Sequence, residues 1–227
     1  MLLKIKDLWK SFDTGSEQIG VLKGVNLTLP SATTLALTGE SGSGKTTLLH
    51  LVAALDDPDR GQILLDGKKI TDSDDADRAR FRREIVGIVF QQFNLIPSLD
   101  AGANIAFQAR LAGQYDPERV EWLADRLDLT AHLEKYPEQL SGGQQQRVAI
   151  GRALAGQPRL VLADEPTGNL DEETSTRVLD LMLELVAETD SALLMVTHSR
   201  HLASRLARRI HLSQGRLSET GNAQAAE

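Results

Sequence analysis

Hydrophobic and polar positions alternate with a period of two near the start of the chain. Leu3 and Ile5 are separated by Lys4 and Lys6, and Val25, Leu27 and Leu29 by Asn26 and Thr28, up to Pro30. Successive strand side chains point to opposite faces, so these stretches predict two half-buried antiparallel edge strands. The pattern then changes. Thr34 to Thr38 reads as a short apolar strand running into a glycine-rich turn, after which Leu48, Leu49 and Val52 recur at helical spacing until the stop at Asp56-Asp57-Pro58. Asp66-Gly67 between apolar flanks predicts a hairpin turn within Gly61 to Ile70, and Ile85 to Phe90 predicts a buried strand with Gln91 just past its end.

The middle of the chain turns helical. Val120, Leu123, Ala124 and Leu127 share one helix face, bracketed by Pro117 and Pro137, and a further helix begins at Ser141 with Val148, Ile150 and Leu154 as its apolar residues. Leu160 to Ala163 and Ala192 to Val196 are continuous apolar runs of the kind found in strands covered on both faces. Between them an amphipathic helix is predicted to bury Val178, Leu181, Met182, Leu185 and Val186. Buried strands alternating with helices predict an α/β fold with a parallel-sheet core, preceded by an antiparallel β portion and interrupted by a helical insertion over about 93–155. At 227 residues, 41% of them hydrophobic, the chain suits one domain over 1–227. The small, polar stretch 219–227 predicts a disordered tail.

Charge and composition narrow the function. A formal charge of −7 argues against a general nucleic-acid-binding surface, which needs basic patches. The absence of cysteine removes disulfide and thiolate-metal chemistry and suits a reducing cytosol. Met1 to Trp9, interrupted by Lys4, Lys6 and Asp7, is no signal-peptide core, and every apolar run falls well short of the ~20 residues that span a bilayer. Action on a membrane therefore calls for another polypeptide to provide the membrane part.

Two motifs carry the chemistry. Gly39, Glu40, Ser41, Gly42, Ser43, Gly44, Lys45 and Thr46 read GESGSGKT, followed by Thr47, with a strand before and a helix after. This is the phosphate-cradling pattern GxxxxGK[ST]: glycines let backbone N–H groups approach phosphate oxygens, Lys45 adds a point charge, and the Thr46 hydroxyl can ligate Mg²⁺. Asp164 and Glu165 end the apolar run LVLADE. The first is placed to hold Mg²⁺ and the second to deprotonate an attacking water, whereas alone the two acids could equally cap the next element. Ser141, Gly142, Gly143 and Gln144 begin the octet LSGGQQQR. Ser141 and Gln144 form a capping-box pattern, and the two glycines expose N–H groups at a positive helix end, a second anion-binding tip.

That octet resembles the signature motif of ABC ATPases, and the resemblance extends over about Leu2 to Leu217. It implies a head-to-tail homodimer in which Ser141 to Gln144 of one copy close over the γ-phosphate of ATP held by Lys45 of the other. It further implies that Phe12 stacks on adenine, a position where an ordinary edge aromatic fits as well. Gln91 would touch Mg²⁺ and the attacking water, His198 would contact the γ-phosphate, and Asn169 to Asp171 would link the two sites. GESGSGKTTLL, VFQQFNLIPSL and LADEPTGNLD look most like ATPase subunits of the LolD/MacB/YbbA type. Such subunits sit on the cytoplasmic face of the bacterial inner membrane and partner with permeases that move lipoproteins, lipids or peptides, export drugs, or transmit force. Two departures stand out: Ser31 to Thr34 replaces the usual Gly-Glu, and Ala101-Gly102-Ala103-Asn104 is a poorer helix start than Ala-Leu-Glu-Asn.

Two other classes compete with the transport reading. A soluble ABC machine for DNA repair needs a long coiled-coil insertion, and the span from Gly44 to Ser141 has no sustained heptads; translation factors of this family usually carry two cassettes. A P-loop kinase explains GESGSGKT but leaves LSGGQQQR and Glu165 without a role.

Overall fold

The computed structural model describes residues 1–13, 15 and 17–219, and divides into two compact units, Met1–Ala79 with Ala192 onward, and Arg80–Ser191. The first unit opens on β1 (Leu3–Asp13) and β2 (Gln18–Leu29), a long antiparallel hairpin. β3 (Thr34–Gly39) leads to α1 (Lys45–Val52), then β4 (Arg60–Leu65) and β5 (Lys68–Lys69) return to the hairpin in the order β2-β1-β4-β5. The expectation of two edge strands is corrected here. β4 pairs with the other side of β1, so β1 is interior to the sheet, and Leu3, Ile5 and Leu8 are buried. The turn between β4 and β5 has positive φ at both Asp66 (50°) and Gly67 (76°), the backbone that a two-residue hairpin needs to follow strand twist. α2 (Asp75–Glu84) carries the chain into the second unit; only its Phe81 is buried, which explains why no apolar period announced it.

In the second unit β6 (Val86–Val89) is followed by α3 (Ala101–Leu111), α4 (Pro117–Arg126) and α5 (Gly142–Ala155), with single turns of 3₁₀ helix at Thr130–His132 and Pro137–Gln139. β7 (Leu160–Asp164) pairs in parallel with β6, Val86 opposite Leu160 through Val89 opposite Ala163. Asp100 caps α3 through Ala103, and Asp116 caps α4 with Pro117 at its first position, as the missing proline N–H permits. α6 (Glu172–Glu188) starts on an Asp171 cap. Its buried face contains Val178, Met182, Leu185 and Val186 as expected, but Leu179 is fully buried and Leu181 only half-buried, a rotation of the apolar stripe by part of a turn.

The chain then returns to the first unit. β8 (Ala192–Val196) lies parallel to β3 on one side, α7 (Arg200–Ala203) follows, and β9 (Arg208–Ser213) lies parallel to β3 on the other side, with β10 (Arg216–Glu219) antiparallel to β9. Glu219, placed in the tail by its composition, is instead the last residue of β10, opposite Ile210; the rest of the expected tail, 220–227, lies outside the described residues. The mixture of parallel and antiparallel strands with covering helices is the α/β architecture expected. Leu35, Ala36 and Leu37 of β3 and Leu160, Leu162 and Ala163 of β7 are fully buried. Burial of each large side chain contributes roughly 1.5–3 kcal/mol, which fixes both strand ends firmly.

Candidate functional site

β3 delivers the chain directly into GESGSGKT. Gly39 and Gly44 have φ of 155° and 101°; a Cβ on the first would lie 2.3 Å from the Leu212 carbonyl oxygen, and on the second 2.7 Å from Val21 Cγ1. No larger residue fits either place, so the loop is wound tightly onto its neighbours. α1 begins with no side-chain cap at Gly44, so its positive N-terminal end points into this loop. Ser43 Oγ, in the same loop, is buried without a hydrogen-bond partner. Lys45 is only 5% exposed, and its Nζ donates to the carbonyl oxygens of Gly39 at 3.0 Å and Glu40 at 2.7 Å. A buried ammonium across the loop, a helix N-terminus with no side-chain cap from Gly44 and an orphaned serine hydroxyl together form a cradle fitted to an anion. Thr46, the next residue, is exposed.

The same unit brings three further elements to this cradle. Phe12 on β1 is 43% exposed and pairs with Ile19, two residues before the Val21 that packs on Gly44. Lys10 Nζ lies 5.1 Å from its ring centroid. Leu37 of β3 is opposite Val196 of β8, so Gly39 and His198 leave the sheet at one carboxyl edge, where open α/β sheets bind ligands. Gly39 and Glu40 share a cleft of about 590 Å³ with His198, Arg200, Arg209 and His211, a lining in which basic groups dominate.

In the second unit the parallel register places the ends of β6 and β7 side by side, so Gln91 emerges beside Asp164 and Glu165. Glu165 has φ of 46°, a left-handed conformation that costs a non-glycine residue of order 1–3 kcal/mol and is concentrated at functional sites. The loop after β7 reaches Gln91: Asn169 Nδ2 donates to the Gln91 carbonyl oxygen at 2.9 Å, and a Cβ on Gly168 would lie 2.9 Å from Gln91 Nε2. The capping box at Ser141 is formed as its sequence predicts. Gln144 N donates to Ser141 Oγ at 3.3 Å, and Ser141 N to Gln144 Oε1 at 2.8 Å. A Cβ added to Gly142 would meet Leu170 Cδ2 at 3.4 Å and Phe93 Cζ at 3.8 Å, so the helix tip borders both the loop after β7 and the loop after Gln91.

The site residues expected from the sequence thus fall into two groups. Phe12, Gly39 to Thr47 and His198 belong to the first unit; Gln91, Ser141 to Gln144, Asp164 and Glu165 belong to the second. The model for the ABC transporter family matches residues 22–168, from β2 through the loop after β7. The chain belongs to the ABC transporter family. Relatives of this ABC protein agree over nearly its whole length. It is 42% identical over 221 residues to the uncharacterized ABC transporter ATP-binding protein YbbA of Escherichia coli K12, covering 96% of this chain and 97% of that one. It is 41% identical over 223 residues to the lipoprotein-releasing system ATP-binding protein LolD 1 of Rhodopirellula baltica, covering 97% of each. A dimeric post-hydrolysis structure of the ATP-binding cassette MJ0796, bound to ADP and Pi, superposes with a TM-score of 0.90 at 36% identity over 99% of this chain and 100% of that one. The ABC chain described here is an ATP-binding, ATP-hydrolysing subunit of that class.

Three polar side chains make contacts that the sequence does not announce. Asn104 is fully buried; its Nδ2 donates to the carbonyl oxygens of Ile96, Leu99 and Asp100, and its Oδ1 accepts from Ile96 N. Arg147, the last residue of LSGGQQQR, donates to the Leu127 carbonyl oxygen at 2.7 Å and pairs with Asp128 at 3.0 Å, tethering the start of α5 to the end of α4. Arg152, one turn further on, is largely buried and donates to the carbonyl oxygens of Asn94 at 2.6 Å and Phe93 at 2.9 Å. The available signal was a polar residue on an otherwise buried helix face, which marks burial without naming its partner.

Proposed function

We propose that this chain works as a head-to-tail homodimer in which each ATP is bound by the Lys45 cradle of one copy and closed by the Ser141 to Gln144 tip of the other. The observation that carries this reading is the mismatch between two anion-suited helix tips and a single Asp164-Glu165 pair per chain. Two copies in opposite orientation give every tip a phosphate and every phosphate one set of acids. The dimeric state of a relative with the same fold supports it.

Within each composite site, the amides of Gly39 to Thr47 and Lys45 hold the β- and γ-phosphates, and Phe12 stacks on adenine. Thr46, Asp164 and Gln91 are the residues that would hold Mg²⁺, whose chemistry is to neutralise developing charge on the phosphate oxygens. Glu165 takes a proton from water as its oxygen attacks the γ-phosphorus in line; the bond to the β–γ bridging oxygen breaks, and ADP and phosphate result. Gln91 orients that water, and His198 contacts the γ-phosphate. Because the second tip binds only when the terminal phosphate is present, ATP closes the dimer and hydrolysis reopens it.

The work is delivered to a separate transmembrane permease, a reading supported by the chain's likeness to ATP-binding proteins of ABC transporters; among the described residues no helix is long and apolar enough to cross a membrane. The subunit then sits peripherally on the cytoplasmic face of the bacterial inner membrane. Its relatives' names favour a permease that releases lipoproteins, with lipid, peptide or drug export and force transmission as related tasks. Sizing chromatography of Glu165→Gln with and without ATP-Mg²⁺ tests the sandwich. A shift from monomer to dimer on adding nucleotide is expected, and monomeric elution with ATP bound would refute it.

A further inference from the structure

The loop after Gln91 is gripped from α5 by a cation that has no other employment. Arg152 donates from both terminal nitrogens, to the carbonyl oxygens of Phe93 and Asn94, and these are its hydrogen-bond partners among the described residues. No carboxylate pairs with it there, and burial alone pulls its affinity for the proton below that of a free guanidinium. A desolvated charge without a counter-ion is costly, so the fork it makes on two adjacent carbonyls is what offsets that cost. Asn94 holds φ of 49°, a left-handed turn that presents its carbonyl and that of Phe93 in the same direction. The Phe93 ring lies toward Gly142 at the start of the same helix. On the other side, Asn169 holds the Gln91 carbonyl from the loop that follows Glu165.

We infer that Arg152 is a positioning residue for ATP hydrolysis: it ties the Gln91 loop to the helix bearing Ser141 to Gln144, so that Gln91 is set in place together with that tip. The chain of contacts runs from the tip through Gly142 and Phe93, along α5 to Arg152, and back through Asn94 to Gln91. Asn169 closes it onto the strand end that carries Asp164 and Glu165. A lysine can reach one carbonyl but not both, because its ammonium lacks the planar fork. This inference rests on the role given to Gln91 above.

A kinetic double-mutant cycle on the full chain separates positioning from mere support of the fold. Arg152→Gln is expected to lower kcat about tenfold with KM for ATP within about twofold, because nucleotide affinity is set by the Lys45 cradle. Arg152→Lys is expected to fall between native and Arg152→Gln. In a Gln91→Ala background, Arg152→Gln should slow turnover by less than about twofold, since residues that act through one another are not additive. Thermal melts check folding; should Arg152→Gln not fold, Arg152→Lys carries the same cycle. Additive losses, or native kcat in both Arg152 variants, would overturn the inference while leaving the sandwich standing. Native turnover by Gln91→Ala itself would overturn the role of Gln91 and this inference with it.

Discussion

At the start of α1 the cap residue Gly44 offers no side chain to the helix end, while at the start of α5 Ser141 and Gln144 bond each other's backbone reciprocally. Around the first tip lie a buried lysine and an orphaned serine hydroxyl; around the second, neighbouring loops pack against Gly142. The first is thus tight and holds a buried cation beside an orphaned hydroxyl, a site that gains most from an incoming anion. The second is already stable and offers only its glycine amides and positive dipole end, enough to add to a phosphate presented by another body but a weak site alone. The tip of α6 gives a third case. It carries its own anion, Asp171, whose carboxylate accepts from Thr174 N at 2.9 Å, and so has no place for a phosphate.

The largest test of this contrast concerns chemistry without binding. Glu165→Gln should retain ATP and lose hydrolysis by about 10²- to 10⁴-fold, the span that a general base contributes, measured by phosphate release beside nucleotide titration. Lys45→Ala acts on binding itself. A hydrogen bond to a charged group is worth about 1.5–3 kcal/mol, so ATP affinity should drop at least about tenfold in calorimetry. At the second tip the loss is structural: Ser141→Ala should cost about 1 kcal/mol in denaturant unfolding while leaving ATP binding to a single copy unchanged, because that tip is not where the nucleotide first docks.

The smallest effect is at the third tip and depends on pH. Hydrogen bonds from the Thr174 backbone and hydroxyl hold the Asp171 carboxyl below the ordinary carboxylate range. A lowered folded value means that this stabilisation is complete above about pH 4 and is lost as pH falls through the folded value. Asp171→Asn keeps a cap that does not titrate. Any excess of the native melting temperature over the variant's should therefore shrink on acidification below about pH 4; an excess that grew instead would contradict the assignment.

Local rules were enough for whatever a short stretch decides for itself. β3, β7 and β8 were legible as unbroken apolar runs, the β4–β5 turn as Asp66-Gly67, and the cap of α5 as Ser141 with Gln144, because propensity, turn chemistry and capping act over a few residues. β9 was not legible, since Arg208, Arg209 and His211 interrupt Ile210 and Leu212 and the strand is recruited by pairing with β3. α3 had no apolar period of its own, and only the family resemblance marked a helix start at Ala101 to Asn104, because its buried face sets a single large apolar residue, Ile105, among Asn104 and small alanines. In the site, the residues of GESGSGKT, LSGGQ and LADE were readable because each motif is contiguous. The grip of Arg152 on residues 58 and 59 positions away was not, because only the folded chain brings them together.

Mixing two inactive variants tests the shared site most directly. Lys45→Ala removes the cradle charge, and Gly142→Asp puts a carboxylate where the γ-phosphate is to dock, with room for its Cβ at 3.4 Å from Leu170. Each alone should be unable to hydrolyse ATP, but a mixed dimer unites the intact cradle of one variant with the intact tip of the other. Equimolar mixing is expected to restore ATP turnover well above the sum of the separate preparations; a mixture no more active than that sum would contradict the sharing of each nucleotide between two copies.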